Sequence, residues 1–403
     1  MFRFSTLLAI AATVSHQVFA VVLNPQNPAS IRSASRQIAG NLVGLYNPQQ
    51  PGTLPAPYWW WEAGGMIAGL LDYGHYTGDL SYNTIAAQAI LAQKQSTNDF
   101  MGPDATGNDD QGWWALTAMS AAEYGLPAPN GSPSWLSIAQ NVFTEFTQRW
   151  DMTRCNGGMK WKIQPGADGY HYKSSIANGV FFQLAARLAN FTKNKEYADW
   201  AEKSFVWMQS VGLIDDKFNV FDGTDDAKTT GCPDVNHDQW SYNAGVFLYG
   251  SAIMQDFTNG DKKWADRVNG ILGRTKDVFF PDGKPIMVEI QCEKQGKCDV
   301  DQQSFKAYLS RYLTATAFLI PRTRDIINPL LSGSAAGAAA SCAGPNGMCG
   351  SRWFTGDFDG VSGVGQQMGA LDAMNGLFVP PPPAPSPPRL PKRLRLAPLE
   401  FVS

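Results

Sequence analysis

Histidine is scarce in this chain, with four among 403 residues, and the cysteines form no C-x-x-C pair. H-E-x-x-H is missing as well. Those absences remove the usual frames for a zinc site, so no metal or other cofactor is expected. An excess of positive charge is also lacking. Lys and Arg total 32 against 35 Asp and Glu, a formal net charge of −3. The folded part therefore has no basic face for a nucleic-acid backbone. Beyond the first twenty residues no apolar run approaches the ~18 residues that would suggest a bilayer span. Strand signals are few, and no Pro/Ser linker divides residues 21–378, so that segment is expected to be a single all-α domain.

What is present begins with the two ends. Arg3 precedes the apolar run Leu7 to Val14, and Val18-Phe19-Ala20 has the small-x-small form of a cleavage site. Residues 1–20 are therefore expected to be a signal peptide, and the mature chain to be secreted. Residues 379–403 read as a Pro-rich, basic tail with no means of burying a core, expected to be disordered. Six cysteines suit an oxidising compartment, and six allow 15 pairings. Loop closure favours Cys292–Cys298 and Cys342–Cys349, which leaves Cys155–Cys232. Asn190-Phe-Thr and Asn130-Gly-Ser are glycosylation acceptors in form, the second weakened by Pro133. Thirteen tryptophans hint at glycan binding, because indoles stack on the C–H faces of sugar rings. For most of them a place in the core is the simpler expectation.

A similar pattern returns six times: a polar or aromatic cluster, small residues, then an apolar run at helical spacing. It begins at Glu62, Asp110, Ser175, Tyr242, Phe305 and Val364. Between these lie amphipathic stretches near 29–45, 80–95, 134–150, 196–211, 261–279 and 322–331. Six apolar helices alternating with six amphipathic ones describe an (α/α)6 barrel, a toroid of six helical hairpins. Links from outer to inner helices are long, at 97–108, 151–173, 212–240, 280–301 and 332–360. All would emerge at one end, where function is expected.

Asn108-Asp109-Asp110-Gln111-Gly112-Trp113-Trp114 lies where one of those loops meets an inner helix. Cleaving a glycosidic bond takes a carboxylic acid for the departing oxygen and a carboxylate that attacks, or activates water, at the anomeric carbon. Adjacent residues have Cα atoms ~3.8 Å apart, so splayed carboxyls suit the ~5–5.5 Å of a retaining pair better than the wider inverting pair. The simpler alternative is a helix cap, for which Asp is a common choice. Glu62, behind Tyr58-Trp59-Trp60-Trp61, and Asp238, before Trp240, open other inner helices. Each is a cap or a partner for sugar hydroxyls. Asp104 and Asp168 are weaker candidates.

Tyr58-Trp-Trp-Trp-Glu62, the Asn108–Trp114 stretch, Cys155-Asn-Gly-Gly-Met-Lys-Trp161, Tyr172-Lys-Ser-Ser-Ile-Ala-Asn-Gly179 and Trp240-Ser-Tyr-Asn-Ala-Gly245 together resemble glycoside hydrolase family 76. The likeness spans roughly 22–378 and is nearest to the fungal cell-wall, endo-α-1,6-mannanase-like members. It implies an (α/α)6 barrel and a retaining mechanism. It also implies α-1,6-mannan or mannose-containing glycans as partners, with Asp109 as nucleophile and Asp110 as acid/base. Trp113, Trp114, Lys173, Asn178, Tyr242 and Asn243 would line the glycan cleft, joined by Trp60, Trp61, Glu62 and Asp238. Three alternatives stay open: a transglycosidase passing the glycan to wall glucan, an enzyme for another polysaccharide, and a catalytically silent glycan-binding protein. Fungal relatives commonly end in an apolar tail that directs a glycolipid anchor. This chain ends in the Pro-rich, Arg-containing stretch, so either it is freely secreted without an anchor or its recorded C-terminus is divergent.

Overall fold

The structure is a computed structural model that describes residues 20–227 and 231–382. The expected leader and tail fall almost entirely outside the described residues. Six helices form an inner ring: α2 (Trp60–Thr77), α4 (Asn108–Glu123), α6 (Ser175–Thr192), α8 (Ser241–Phe257), α10 (Phe305–Leu319) and α12 (Val364–Asn375). Each packs against the next, and α12 closes the ring on α2. Six outer helices alternate with them along the chain: α1 (Pro28–Val43), α3 (Asn83–Gln93), α5 (Trp135–Arg149), α7 (Lys195–Ser210), α9 (Lys262–Phe279) and α11 (Arg324–Ser341). This is the expected (α/α)6 barrel.

The two sets differ because their sequences differ. An outer helix such as α9 buries one stripe, Trp264, Arg267, Val268, Ile271, Leu272, Thr275 and Phe279, and turns its opposite face to water. An inner helix such as α6 is buried nearly all round. That crowding explains the small residues. A Cβ on Gly65 would overlap the Tyr308 ring, and one on Gly112 would overlap Val180. Below the mouth of the ring the inner helices are braced by buried ion pairs. Arg311 on α10 meets Asp72 on α2 at 3.0 Å and Asp372 on α12 at 2.8 Å, and Arg187 on α6 meets Glu123 on α4 at 2.6 Å.

One helix departs from expectation. α11 continues to Ser341, where the sequence suggested a loop from residue 332. Its extra turns are rich in Gly and Ala, and a Cβ on Gly333 or Gly337 would press into Pro285 or Trp353. The small residues are there for close packing and do not mark a loop. The outer-to-inner links span 44–59, 94–107, 150–174, 211–240, 280–304 and 342–363, and they gather at one end of the barrel.

Two of these loops are joined by a small antiparallel sheet of β1 (Tyr172–Ser174), β2 (Gly223–Asp225) and β3 (Val235–Asn236). The three disulfides form as expected. Cys155–Cys232 ties the same two loops across 77 positions, while Cys292–Cys298 and Cys342–Cys349 close short turns. Among the described residues no helix is long and apolar enough to cross a membrane. Asn130 is exposed in the link from α4 to α5. Asn190, in the last turn of α6, accepts from Lys193 at 2.8 Å and donates to Asp256 at 3.2 Å.

Candidate active site

Gly107 precedes α4 in an extended conformation, and the helix opens with Asn108, Asp109 and Asp110. Asp110 Oδ2 accepts the Gly107 N–H at 2.7 Å and the Thr106 hydroxyl at 3.0 Å. So Asp110 does cap its helix, and it also faces the cleft. Asn108 and Gln111 turn away from the cleft, to Arg149 on α5.

The loop 150–174 pairs with this helix start as a strand would. Asn108 N–H donates to the Trp161 carbonyl at 2.8 Å, and Ile163 N–H donates to the Thr106 carbonyl at 3.0 Å. That pairing delivers the Trp161 indole, whose Nε1–H donates to Asp109 Oδ2 at 3.1 Å. Trp161 is held edge-on by Tyr172 and covered by Lys162 Nζ, 4.1 Å from the ring centroid. Gly169, at φ +81°, lets the chain pass beneath the indole where a Cβ would strike it.

The two carboxyls share one neighbourhood. A Cβ on Gly107 would overlap Asp109 Oδ1 and lie 3.0 Å from Asp110 Oδ2. These two oxygens are therefore within about 5.5 Å of each other, short of the ~6.5–9.5 Å of an inverting pair. Burial pushes Asp109 well above the usual carboxylate range, and the neighbouring Asp110 charge adds to the rise. Burial also raises Asp110, and the Lys162 charge pulls both down. Asp109 Oδ1 is buried with no hydrogen-bond partner among the described residues. Such an orphaned acceptor is costly in a core and useful in a site.

An open cleft surrounds the pair. Its floor is aromatic. Trp61 stacks on Trp113 at 5.6 Å, and Tyr242 stacks on Phe305 at 3.8 Å with an interplanar angle of 6°. Three further acids, Asp104, Asp222 and Asp301, line the cleft. Asp222 accepts the Tyr172 hydroxyl at 2.6 Å and is raised by burial. Asp301 accepts the Trp61 indole N–H at 3.2 Å and is pushed up to about 6 by burial and by Asp299. Among the described residues no cluster of His, Cys, Asp and Glu is arranged to hold a metal ion. A buried acid pair on an aromatic floor can protonate a leaving oxygen and attack a sugar carbon.

Residues 30–387 match the sequence profile of glycosyl hydrolase family 76. The chain belongs to that family.

Mannan endo-1,6-alpha-mannosidase DCW1 of Saccharomyces cerevisiae is 40% identical over 379 residues, covering 91% of this chain and 83% of the relative. The crystal structure of Dfg5 from Chaetomium thermophilum in complex with glucosamine superimposes with a TM-score of 0.84 at 39% identity. That match covers 89% of this chain and 93% of the other. At 17% identity the fold alone is shared with an inactive variant of the α-1,6-mannanase GH76A of Salegentibacter sp. HEL1_6, in complex with α-1,6-mannotetrose. Its TM-score is 0.69, covering 86% and 98% of the two chains.

Within this family 76 chain the residues expected in the cleft divide into two groups. Trp60, Trp61, Trp113 and Tyr242 line it beside Asp109 and Asp110, and so does Asp104. The others do not reach it. Glu62 is fully buried, accepts the Trp59 N–H at 2.7 Å as the cap of α2, and is pushed up to about 8 by that burial. Trp114 is core, packed between Trp60 and Phe100. Lys173 is fully buried, and its Nζ donates to the carbonyls of Asp151, Arg154 and Gly157 and pairs with the Asp151 carboxylate at 3.1 Å. Asn178 is spent on the backbone of Met159, Asn243 is buried in α8, and Asp238 and Asp168 are exposed outside the lining.

Sequence reasoning missed Trp161, Tyr172, Asp222, Asp301 and Phe305 as lining residues. Trp161 and Tyr172 were visible inside the family motifs. Asp222 and Asp301 carried no local signal, because only the path of a long loop brings them to the cleft.

Proposed function

We propose that this chain is a retaining endo-α-1,6-mannosidase of cell-wall mannan or mannosylated glycans. The observation that carries the reading is the Asp109–Asp110 pair, closely spaced at the mouth of the barrel on an aromatic floor. Asp109 attacks the anomeric carbon and becomes the mannosyl ester. Asp110 protonates the departing sugar oxygen, then takes the proton of the incoming acceptor.

The hydrogen bonds made by the protein alone favour the opposite distribution of charge. Asp110 receives two donors and Asp109 one, so the anion sits more readily on Asp110. A bound glycan reverses this. Positive charge developing at the anomeric carbon lies against Asp109 and favours its anion, while the leaving oxygen draws the proton of Asp110. The three disulfides suit secretion towards the cell wall or surface. Trp59, Pro103 and Asp104 also line the cleft, and that added surface supports a second reading in which a sugar binds on the leaving side. There the acceptor is a hydroxyl of wall glucan in place of water, and the enzyme is a transglycosidase.

The test is a panel of α-1,6-mannan, other mannans and glucans, with products identified by linkage, run with and without glucan acceptor. Shortened α-1,6-mannan alone supports hydrolysis, and a mannan–glucan chimera supports transfer. Asp109→Asn and Asp110→Asn are expected to lose turnover while keeping glycan binding. Turnover of β-linked mannan or glucan alone, or full activity in either variant, would overturn the reading.

A further inference from the structure

Trp59 stands apart from its neighbours. Its backbone is fixed at the start of α2, with its N–H donated to Glu62. Trp60 packs on Trp114, and Trp61 packs on Trp113 and Tyr308. Trp59 is 60% exposed. A single exposed apolar residue on a convex surface needs no explanation. This one lines the cleft, where a ligand can cover it and gain the burial of an aromatic face.

The cleft has two distinguishable sides. The start of α4 is flanked by loop 94–107, next to α2, and by loop 150–174, which leads to α6. Asp110 is tied to the first loop through Thr106 and Gly107, and Asp109 to the second through Trp161. Phe100 of the first loop and Trp60 of α2 both pack on Trp114 at 5.7 Å, so loop and helix form one wall. Trp59, Pro103 and Asp104 line the cleft on that wall. An acid that protonates a leaving oxygen lies beside the leaving sugar.

We propose that Trp59 is the stacking platform for the sugar on the leaving side of the scissile bond, and for the sugar that replaces it as acceptor. This rests on the roles of Asp109 and Asp110 given above. Its ligand is a pyranose with an open C–H face. In the transfer step the acceptor hydroxyl oxygen bonds the anomeric carbon. The ester bond to Asp109 breaks and returns its electron pair to the carboxylate, and the acceptor proton passes to Asp110. No oxidant or reductant is consumed.

The test compares Trp59→Ala, Trp59→Phe and the wild-type secreted chain on two donors. One is α-1,6-mannotetraose, which places sugars on the leaving side. The other is α-1,6-mannobiosyl fluoride, whose fluoride leaving group has no ring to stack. Val206→Ala, on the outer face of α7, is the control and changes neither rate. Trp59→Ala is expected to lower kcat/KM on the tetrasaccharide about tenfold more than on the fluoride, equivalent to about 1.4 kcal/mol. The fraction of mannosyl-enzyme captured by a sugar acceptor falls as well, and Trp59→Phe recovers most of both. Equal losses on the two donors with unchanged capture would overturn the assignment. A wild-type chain that turned over neither donor would remove the mannosidase reading itself, and this inference with it.

Discussion

The Trp161 indole N–H donates to Asp109 Oδ2 at 3.1 Å from 52 positions further along the chain. This contact joins a loop to a helix start and fixes one face of the Asp109 carboxylate, leaving Oδ1 free of partners among the described residues. Trp161→Phe keeps an aromatic ring and removes the donor. A hydrogen bond to a charged group contributes ~1.5–3 kcal/mol, so kcat on α-1,6-mannan is expected to fall between about tenfold and a hundredfold. KM should change little. Steady-state kinetics check this, and a change confined to KM would make Trp161 a simple sugar contact.

The acid limb of activity should lie high. Attack needs Asp109 ionised, yet burial and Asp110 hold it above the usual carboxylate range. The kcat/KM profile is therefore expected to rise at a pH above the ~4 of an ordinary carboxylate. The Lys162 charge lowers both aspartates. Lys162→Met should move the limb to higher pH still, which a pH–rate series would record.

Stability should fall towards alkaline pH. Glu289 is buried, accepts both the hydroxyl and the N–H of Ser241 at the start of α8, and is raised from 4.5 to about 8, chiefly by burial. Glu62 is raised to about 8 for the same reason. A raised carboxyl contributes stability that is fully present below its unfolded value, here 4.5. That contribution is lost as pH climbs through the folded value. The Tm is expected to drop between pH 5 and pH 8.5, and Glu289→Gln to flatten the drop. Thermal scans at the two pH values decide it.

Cys155–Cys232 spans 77 positions and joins the loop carrying Trp161 to the loop carrying Asp222. Removing a native disulfide from a small secreted domain typically costs ~2–5 kcal/mol. Replacing both cysteines by serine should lower stability by about that amount in denaturant titration. Activity should fall further than stability, because two walls of the cleft lose their tie.

The fold was legible because its periodicity is simple. Gly64, Gly65 and Gly112 sit where the side chains of Trp114, Tyr308 and Val180 approach, and the same small residues mark the inner helices in the sequence. That cue failed at α11, where Gly333 and Gly337 serve packing but read as a loop. Asp109 and Asp110 were legible as a candidate pair, and the helix-capping alternative for Asp110 coexists with its place in the cleft. Lys173 shows the limit. A lysine inside a family motif suggests a ligand contact, yet this one satisfies three carbonyls of its own loop. Only the folded path of a loop decides whether a polar side chain faces sugar or backbone. Asp222 and Asp301 entered the site by the same rule, unannounced.

The proposed roles of Asp109 and Asp110 as a retaining pair on α-1,6-linked mannose fix the stereochemistry of the product. The most direct test is proton NMR of the anomer first released from α-1,6-mannooligosaccharide, read before mutarotation. A retaining pair releases the α-anomer first. Release of the β-anomer, or no cleavage of the α-1,6 linkage, would contradict those roles.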